Sequence, residues 1–236
     1  TAAKLEEREM RYSRLVLGFL ALLLVLFSTG PAFSQVSMDF TGVGGANGGG
    51  VYTYPYYFSI NNGPQTSLIC DSFDNTIQVP ETWTATVTSL LTAGAGGAYY
   101  SGTGMQVYYD AAGIIFEQIL NGTVSAVQGN WAIWGLFSTN AQANSFYTTG
   151  GPNNSPSPYT IESTYLAIAR ADAAGGTLPA YLANMVVYTP TNGKAGQGGP
   201  QEFIGIVPEP GSLALFGSGL ALLGGLLRKR GVLHRT

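Results

Sequence analysis

Charge is scarce in this chain. Lys, Arg, Asp and Glu make up 10% of its 236 residues. The shortage is sharpest for cations in the middle. Of ten Lys and Arg, four precede Leu15 (Lys4, Arg8, Arg11, Arg14) and four follow Leu227 (Arg228, Lys229, Arg230, Arg235). Residues 35–207 hold only Arg170 and Lys194 against nine acids, a formal charge of −7. Two separated cations cannot neutralise a run of phosphates, so no nucleic-acid partner is expected. Histidine is scarcer still. The single one, His234, lies near the C-terminus, which rules out Ser-His-Asp and Cys-His catalysis and histidine metal sites in the middle. One cysteine, Cys70, cannot form an internal disulfide. Asp71 and Asp74 flank it, but a calcium loop needs more oxygen ligands at regular spacing. Neither a metal nor a cofactor is expected, and no residue is assigned a catalytic role.

Long apolar runs, in contrast, occur at both ends. Met10-Arg11-Tyr12-Ser13-Arg14 leads into Leu15–Phe27, 13 residues without a polar side chain, and then into Gly30-Pro31, Ala32 and Ser34. A basic start, an apolar core, a helix breaker and small residues make up a secretory signal peptide. Cleavage by signal peptidase is expected between Ser34 and Gln35, after passage through the secretion machinery. Residues 1–9 read as sequence upstream of an initiator at Met10 and are set aside. Near the other end, Leu213–Leu227 spans 15 residues. As a helix it covers about 23 Å, against roughly 30 Å of hydrocarbon. Gly217, Gly219, Gly224 and Gly225 make it a poor helix by propensity. Arg228-Lys229-Arg230 follow, and by the positive-inside rule they stay cytoplasmic while the body lies outside.

The middle reads as one α+β domain, exported, of antiparallel strands with two or three helices inserted. Met38–Gly50 is Gly-rich and reads as loop. Strands are expected over Val51–Ile60, with Pro55 marking an edge or bend, and over Ser67–Cys70, Ile77–Val79 and Trp83–Leu90. Helical spacing then appears in Met105–Leu120, Val124–Phe137 (weakened by Gly129 and Gly135) and Tyr159–Ala174. Asn140–Pro158 reads as a polar loop and Asn184–Thr189 as a closing strand. The boundaries follow: residues 1–34 upstream sequence and signal peptide, 35–190 the exported domain, 191–206 a flexible linker, 207–236 a membrane sorting segment.

Two resemblances rest on these residues. Pro208-Glu209-Pro210, the apolar run and Arg228-Lys229-Arg230 at the C-terminus resemble the PEP-CTERM sorting signal. The resemblance implies a Gram-negative, exopolysaccharide-making source and transient or stable anchoring in the inner membrane. It also implies an exosortase-type protease as partner, and delivery to the cell surface or extracellular matrix. The prolines keep the segment ahead of the apolar run extended, as a protease at the membrane face requires. The second resemblance covers Leu68–Phe137. Leu68-Ile69-Cys70, a β segment and two helices carrying Trp131-Ala132-Ile133-Trp134 resemble the thioester domains of bacterial surface adhesins. In those domains a cysteine is joined to a glutamine. Counting back from Trp134, the glutamine position is Asn130 here, one methylene shorter. Gln128 lies two residues earlier, about 200° around the helix. Cys70, Asn130 and Gln128 are therefore the thioester candidates, and Trp83, Trp131 and Trp134 read as core.

The function that follows is a non-enzymatic surface or matrix protein processed by an exosortase-type system, with extracellular polysaccharide as a further partner of its Tyr-rich, weakly charged surface. The first alternative is a covalent adhesin acting through a Cys70 thioester. The second is a glycan hydrolase in which two of Glu81, Asp110, Glu117 and Glu162 converge in space.

Overall fold

The computed structural model describes residues 35–151 and 156–207. The signal-peptide and sorting-segment readings fall outside them. Six of the eight strands close into an antiparallel barrel: β1 (Gln35–Val43), β4 (Tyr56–Ile60), β5 (Gln65–Cys70), β8 (Phe203–Ile206), β7 (Met185–Pro190) and β6 (Glu81–Ser89), in that order around the ring. β2 (Asn47–Gly48) and β3 (Val51–Tyr52) form a small separate hairpin. The helices are inserted between β6 and β7: α1 (Leu90–Ala93), α2 (Gln106–Leu120), α3 (Ala126–Phe137), α4 (Thr139–Ala143), α5 (Ser145–Thr149) and α6 (Pro158–Gly175), followed by a 3₁₀ turn at Ala180–Asn184.

Alternation explains the barrel. Met38 and Phe40 of β1, Tyr56 and Phe58 of β4, Leu68 and Cys70 of β5, Trp83 and Ala85 of β6, Val186 and Tyr188 of β7 and Phe203 of β8 fill its interior. Every second residue faces inward on a pleated strand. The β5–β8–β7 wall is buried on both faces. Ile69, Ile204, Met185 and Val187 point the other way, into a core shared with α2, α3 and α6. That is why all six residues of β7 are buried.

The helices are stopped by local signals. The Ser125 hydroxyl accepts a bond from Gln128 N at the start of α3. Ser157 does the same for Thr160 N ahead of Pro158 in α6, and Gly176 closes α6 in the left-handed region. Gly129 costs α3 helix propensity but allows a close approach. A Cβ there would lie 2.5 Å from Ile119 Cδ1. Gly135 likewise faces Tyr147 and Glu162.

Several expectations need correcting. The Gly-rich segment read as loop begins as β1, which runs to Val43 before the glycines take over. Val51–Ile60 is not one strand: Pro55, which has no N–H for a ladder, separates β3 from β4. Ile77–Val79 is not a strand, and Asn140–Pro158 holds two short helices capped by Ser138 and Asn144. The largest correction concerns 191–206. Its last residues form β8, which joins β5 to β7, so the domain extends past 190 to Val207. The remainder is not a free linker. Asn75, buried beneath it, donates through Nδ2 to the carbonyls of Lys194 and Gly198, both at 3.0 Å, and accepts from Gly196 N at 2.9 Å.

Candidate functional site

The thioester candidates sit where β5 leaves the barrel beside α3. Cys70 is the last residue of β5, and its Sγ lies 3.7 Å from the Ser72 carbonyl as donor. Burial, then the adjacent Asp71, push its thiol pKa well above the ordinary cysteine value, against smaller opposing effects from Trp134 and Ser72. The nucleophilic thiolate is therefore suppressed in this form. Asn130 is buried and contacts the same residue, but through the main chain. Its Nδ2 donates to the Cys70 carbonyl at 2.8 Å and its Oδ1 accepts from Tyr54 N at 2.8 Å. Gln128 points elsewhere. It donates to the Pro156 carbonyl at 2.7 Å and accepts from the Ser125 hydroxyl at 2.7 Å. The fold thus brings Cys70 and Asn130 together and leaves Gln128 apart. Trp131 donates to the Gly48 carbonyl at 3.0 Å and packs edge-on against Trp134. The indole N–H of Trp83 makes no hydrogen bond among the described residues, and that of Trp134 has the Cys70 sulfur as its neighbour.

A pair of acids that the sequence did not single out adjoins Cys70. Asp71 and Glu202 are both 0% exposed. Glu202 accepts from Tyr99 N at 2.7 Å, Tyr109 Oη at 2.8 Å and Thr189 Oγ1 at 2.5 Å. Among the described residues neither Asp71 oxygen receives a hydrogen bond from another residue's N–H or O–H group. Burial without such a donor, beside a second acid, favours the protonated form of Asp71. Burial first, and Glu202 second, hold the Asp71 pKa well above the usual carboxylate range. Burial also raises Glu202, opposed by its donors Thr189, Tyr99 N and Tyr109. The pair is sealed from solvent, so its geometry is that of an internal tie between the β5–β8 wall and the start of α2.

The four carboxylates named for hydrolysis are engaged separately. Glu81 accepts from Gln78 N at 2.8 Å, Asp110 from Gln106 Nε2 at 2.8 Å, and Glu162 from the Tyr147 hydroxyl. Glu117 lies near Tyr181, whose pKa it helps to raise. Asp74 accepts from Asn140 Nδ2 at 2.8 Å. Among the described residues no group of three or more His, Cys, Asp or Glu side chains is placed to hold a metal ion.

The accessible feature is a groove of about 470 Å³ at one open end of the barrel. Phe40, Tyr52, Tyr56, Phe73 and Trp134 give it an aromatic lining, and no charged side chain lines it. Tyr52 and Val79, at its edge, are each 56% exposed. A more polar hollow of about 440 Å³, carrying Gln78 and Glu81, shares Thr76 with it. Composition hinted at the aromatics, but only the ring closure of the barrel gathers them.

A closed antiparallel barrel with a helical layer and an aromatic end groove is thus the class of domain that precedes the C-terminal segment. Residues 207–230 of that segment match the PEP-CTERM protein-sorting motif, which indicates a protein sorted by an exosortase-type system. No curated protein and no solved structure matches the chain. Pro208, Glu209, Pro210, Arg228, Lys229 and Arg230 lie outside the described residues, as does Ser34. Gln35 is the first residue of β1. Among the described residues no helix is long and apolar enough to cross a membrane.

Proposed function

We propose that this chain is a non-enzymatic binding protein of the cell surface or exopolysaccharide matrix, delivered there by secretion and exosortase-type processing. The sorting motif at 207–230 carries the reading. The aromatic, uncharged groove supports the binding part: flat rings and nearby amides and hydroxyls suit a neutral sugar chain, which offers apolar C–H faces and hydroxyl groups. Calorimetric titration of the mature protein with purified polysaccharide from the producing cells tests it. Saturable binding that is lost in Tyr52→Ala is expected; no heat with the unaltered protein removes the polysaccharide part.

A second reading is favoured by one contact, that of Asn130 with Cys70. A thioester would form by attack of the Cys70 sulfur on the Asn130 side-chain carbonyl carbon, with ammonia leaving. The product would acylate an amine on a neighbouring surface. An intact mass short by one ammonia, with methylamine adding on treatment, would support it. A full mass with one titratable thiol on unfolding would remove it.

A further inference from the structure

The barrel has a direction, and the two chain exits share one end of it. β1, β5 and β7 begin at the same rim at which β4, β6 and β8 end. The pairings fix this: Met38 lies opposite Ile60, Ser89 opposite Val186, and Met185 opposite Ile206. Gln35, the first residue of β1, therefore emerges at the rim from which Val207 leaves. Val207 is still tied in, donating from its N–H to the Asn184 carbonyl at 2.8 Å. The sorting motif begins at the same residue.

The two rims differ in charge. The stretches that build the exit rim, residues 35–38, 60–66, 87–90, 184–187 and 204–207, contain no Asp, Glu, Lys or Arg. The helical layer brings Glu117 and Asp172 near Tyr181, on the flank of this rim, and the buried Asp110 is joined through Gln106 Nε2 to the Leu90 carbonyl. Asp71, Asp74, Glu81, Lys194 and Glu202 all belong to segments at the opposite rim, which also holds the aromatic groove. Segment 35–207 carries a formal charge of −7. An anionic lipid surface would repel such a body unless it presented its uncharged end.

Tether length supplies the second constraint. Five residues, 208–212, separate Val207 from the apolar run at Leu213. Fully extended, that connection reaches about 20 Å. The strands of the barrel run from four residues in β8 to nine in β6, about 13–30 Å along the strand. The tether therefore holds the exit rim, where Val207 leaves, within about 20 Å of the apolar run.

We propose that in the membrane-anchored precursor the uncharged exit rim is a lipid-facing surface. The barrel stands on the bilayer with its aromatic groove turned outward, and the exosortase-type protease meets the motif with the folded rim beside it. This rests on the reading of the C-terminal segment as a membrane sorting signal. It goes beyond that reading by assigning the surface and the orientation.

The test uses the full-length precursor in phosphatidylcholine–phosphatidylglycerol vesicles carrying a nitroxide on the lipid headgroup. A fluorophore is attached at Gln65→Cys on the exit rim, or at Gln78→Cys on the far rim. Both positions are exposed, and the native Cys70 is buried and unlabelled. The label at 65 is expected to lose most of its fluorescence and the label at 78 almost none. A long Gly-Ser spacer between Val207 and Pro208 is expected to relieve the quenching at 65. Equal quenching at the two sites without the spacer, or stronger quenching at 78, overturns the orientation. Failure of the precursor to float with the vesicles overturns the anchor reading itself, and this separates the two failures.

Discussion

Asp71→Asn is the most informative single substitution in the barrel. In the native domain Asp71 is buried beside Glu202 with no donor from another described residue, and both effects hold it toward the protonated form. Its native pKa lies above its unfolded value of about 3.9. The folded state thus binds more protons than the unfolded state between those two values. Stability from this group is fully present below about pH 4 and is lost as pH rises toward the native pKa, by up to about 1.4 kcal/mol per pH unit. For a domain of this size that is a fall in Tm of about 3–6 °C per unit. Asparagine matches the carboxylic acid in shape, keeps a donor toward Glu202 and cannot ionise. Asp71→Asn is therefore expected to flatten this part of the pH profile and to exceed the native domain in stability at pH 8. Urea unfolding of the Gln35–Val207 segment, followed by tryptophan fluorescence from pH 4 to 9, measures both curves. Asp110 and Glu162 are also raised by burial, so each adds a slope of the same sign, present in both proteins. The difference between the curves isolates the pair. An unchanged slope in Asp71→Asn would refute the protonated assignment.

Three further outcomes are expected. Asn75→Ala removes the side chain that holds the 191–201 loop and leaves several buried partners unsatisfied, for a loss of about 2–4 kcal/mol in the same denaturation assay. Gly129→Ala sets two effects against each other. Helix propensity favours alanine by about 1 kcal/mol, but overlap with Ile119 costs about 1–3 kcal/mol. Because both Ile119 carbons are close, at 2.5 and 2.6 Å from the added Cβ, net destabilisation is expected; a rise in Tm would contradict the packing. Finally, Cys70 is expected to resist a thiol reagent at pH 8 in the folded domain and to react once in urea, because burial suppresses its thiolate.

The parts of the fold readable from sequence were those set by local pattern. Trp83 and Ala85 alternate with threonines, and β6 follows. The apolar spacing of 105–120 and the Ser157-Pro158 start of α6 are likewise local. What escaped depends on distant partners. β8 is only four residues after a Gly-rich stretch, and it becomes a strand by pairing with β5 on one side and β7 on the other. The loop before it looks like linker, yet Asn75 holds it from 119 residues away. The Trp131–Trp134 block named Asn130 as a candidate partner of Cys70, and the fold sets its amide against the Cys70 main chain. Spacing could not show that the amide meets the Cys70 carbonyl rather than its thiol. Nor could it pair Asp71 with Glu202, since only the β5–β8 contact brings those segments together.

Exosortase-type processing at 207–230 is the central claim, and intact-mass analysis of the protein recovered from outside its native cells tests it most directly. The expected product begins at Gln35 and lacks Arg228-Lys229-Arg230, its C-terminus lying close to Pro208-Glu209-Pro210. An extracellular protein that still carries the basic cluster and its apolar run would contradict it.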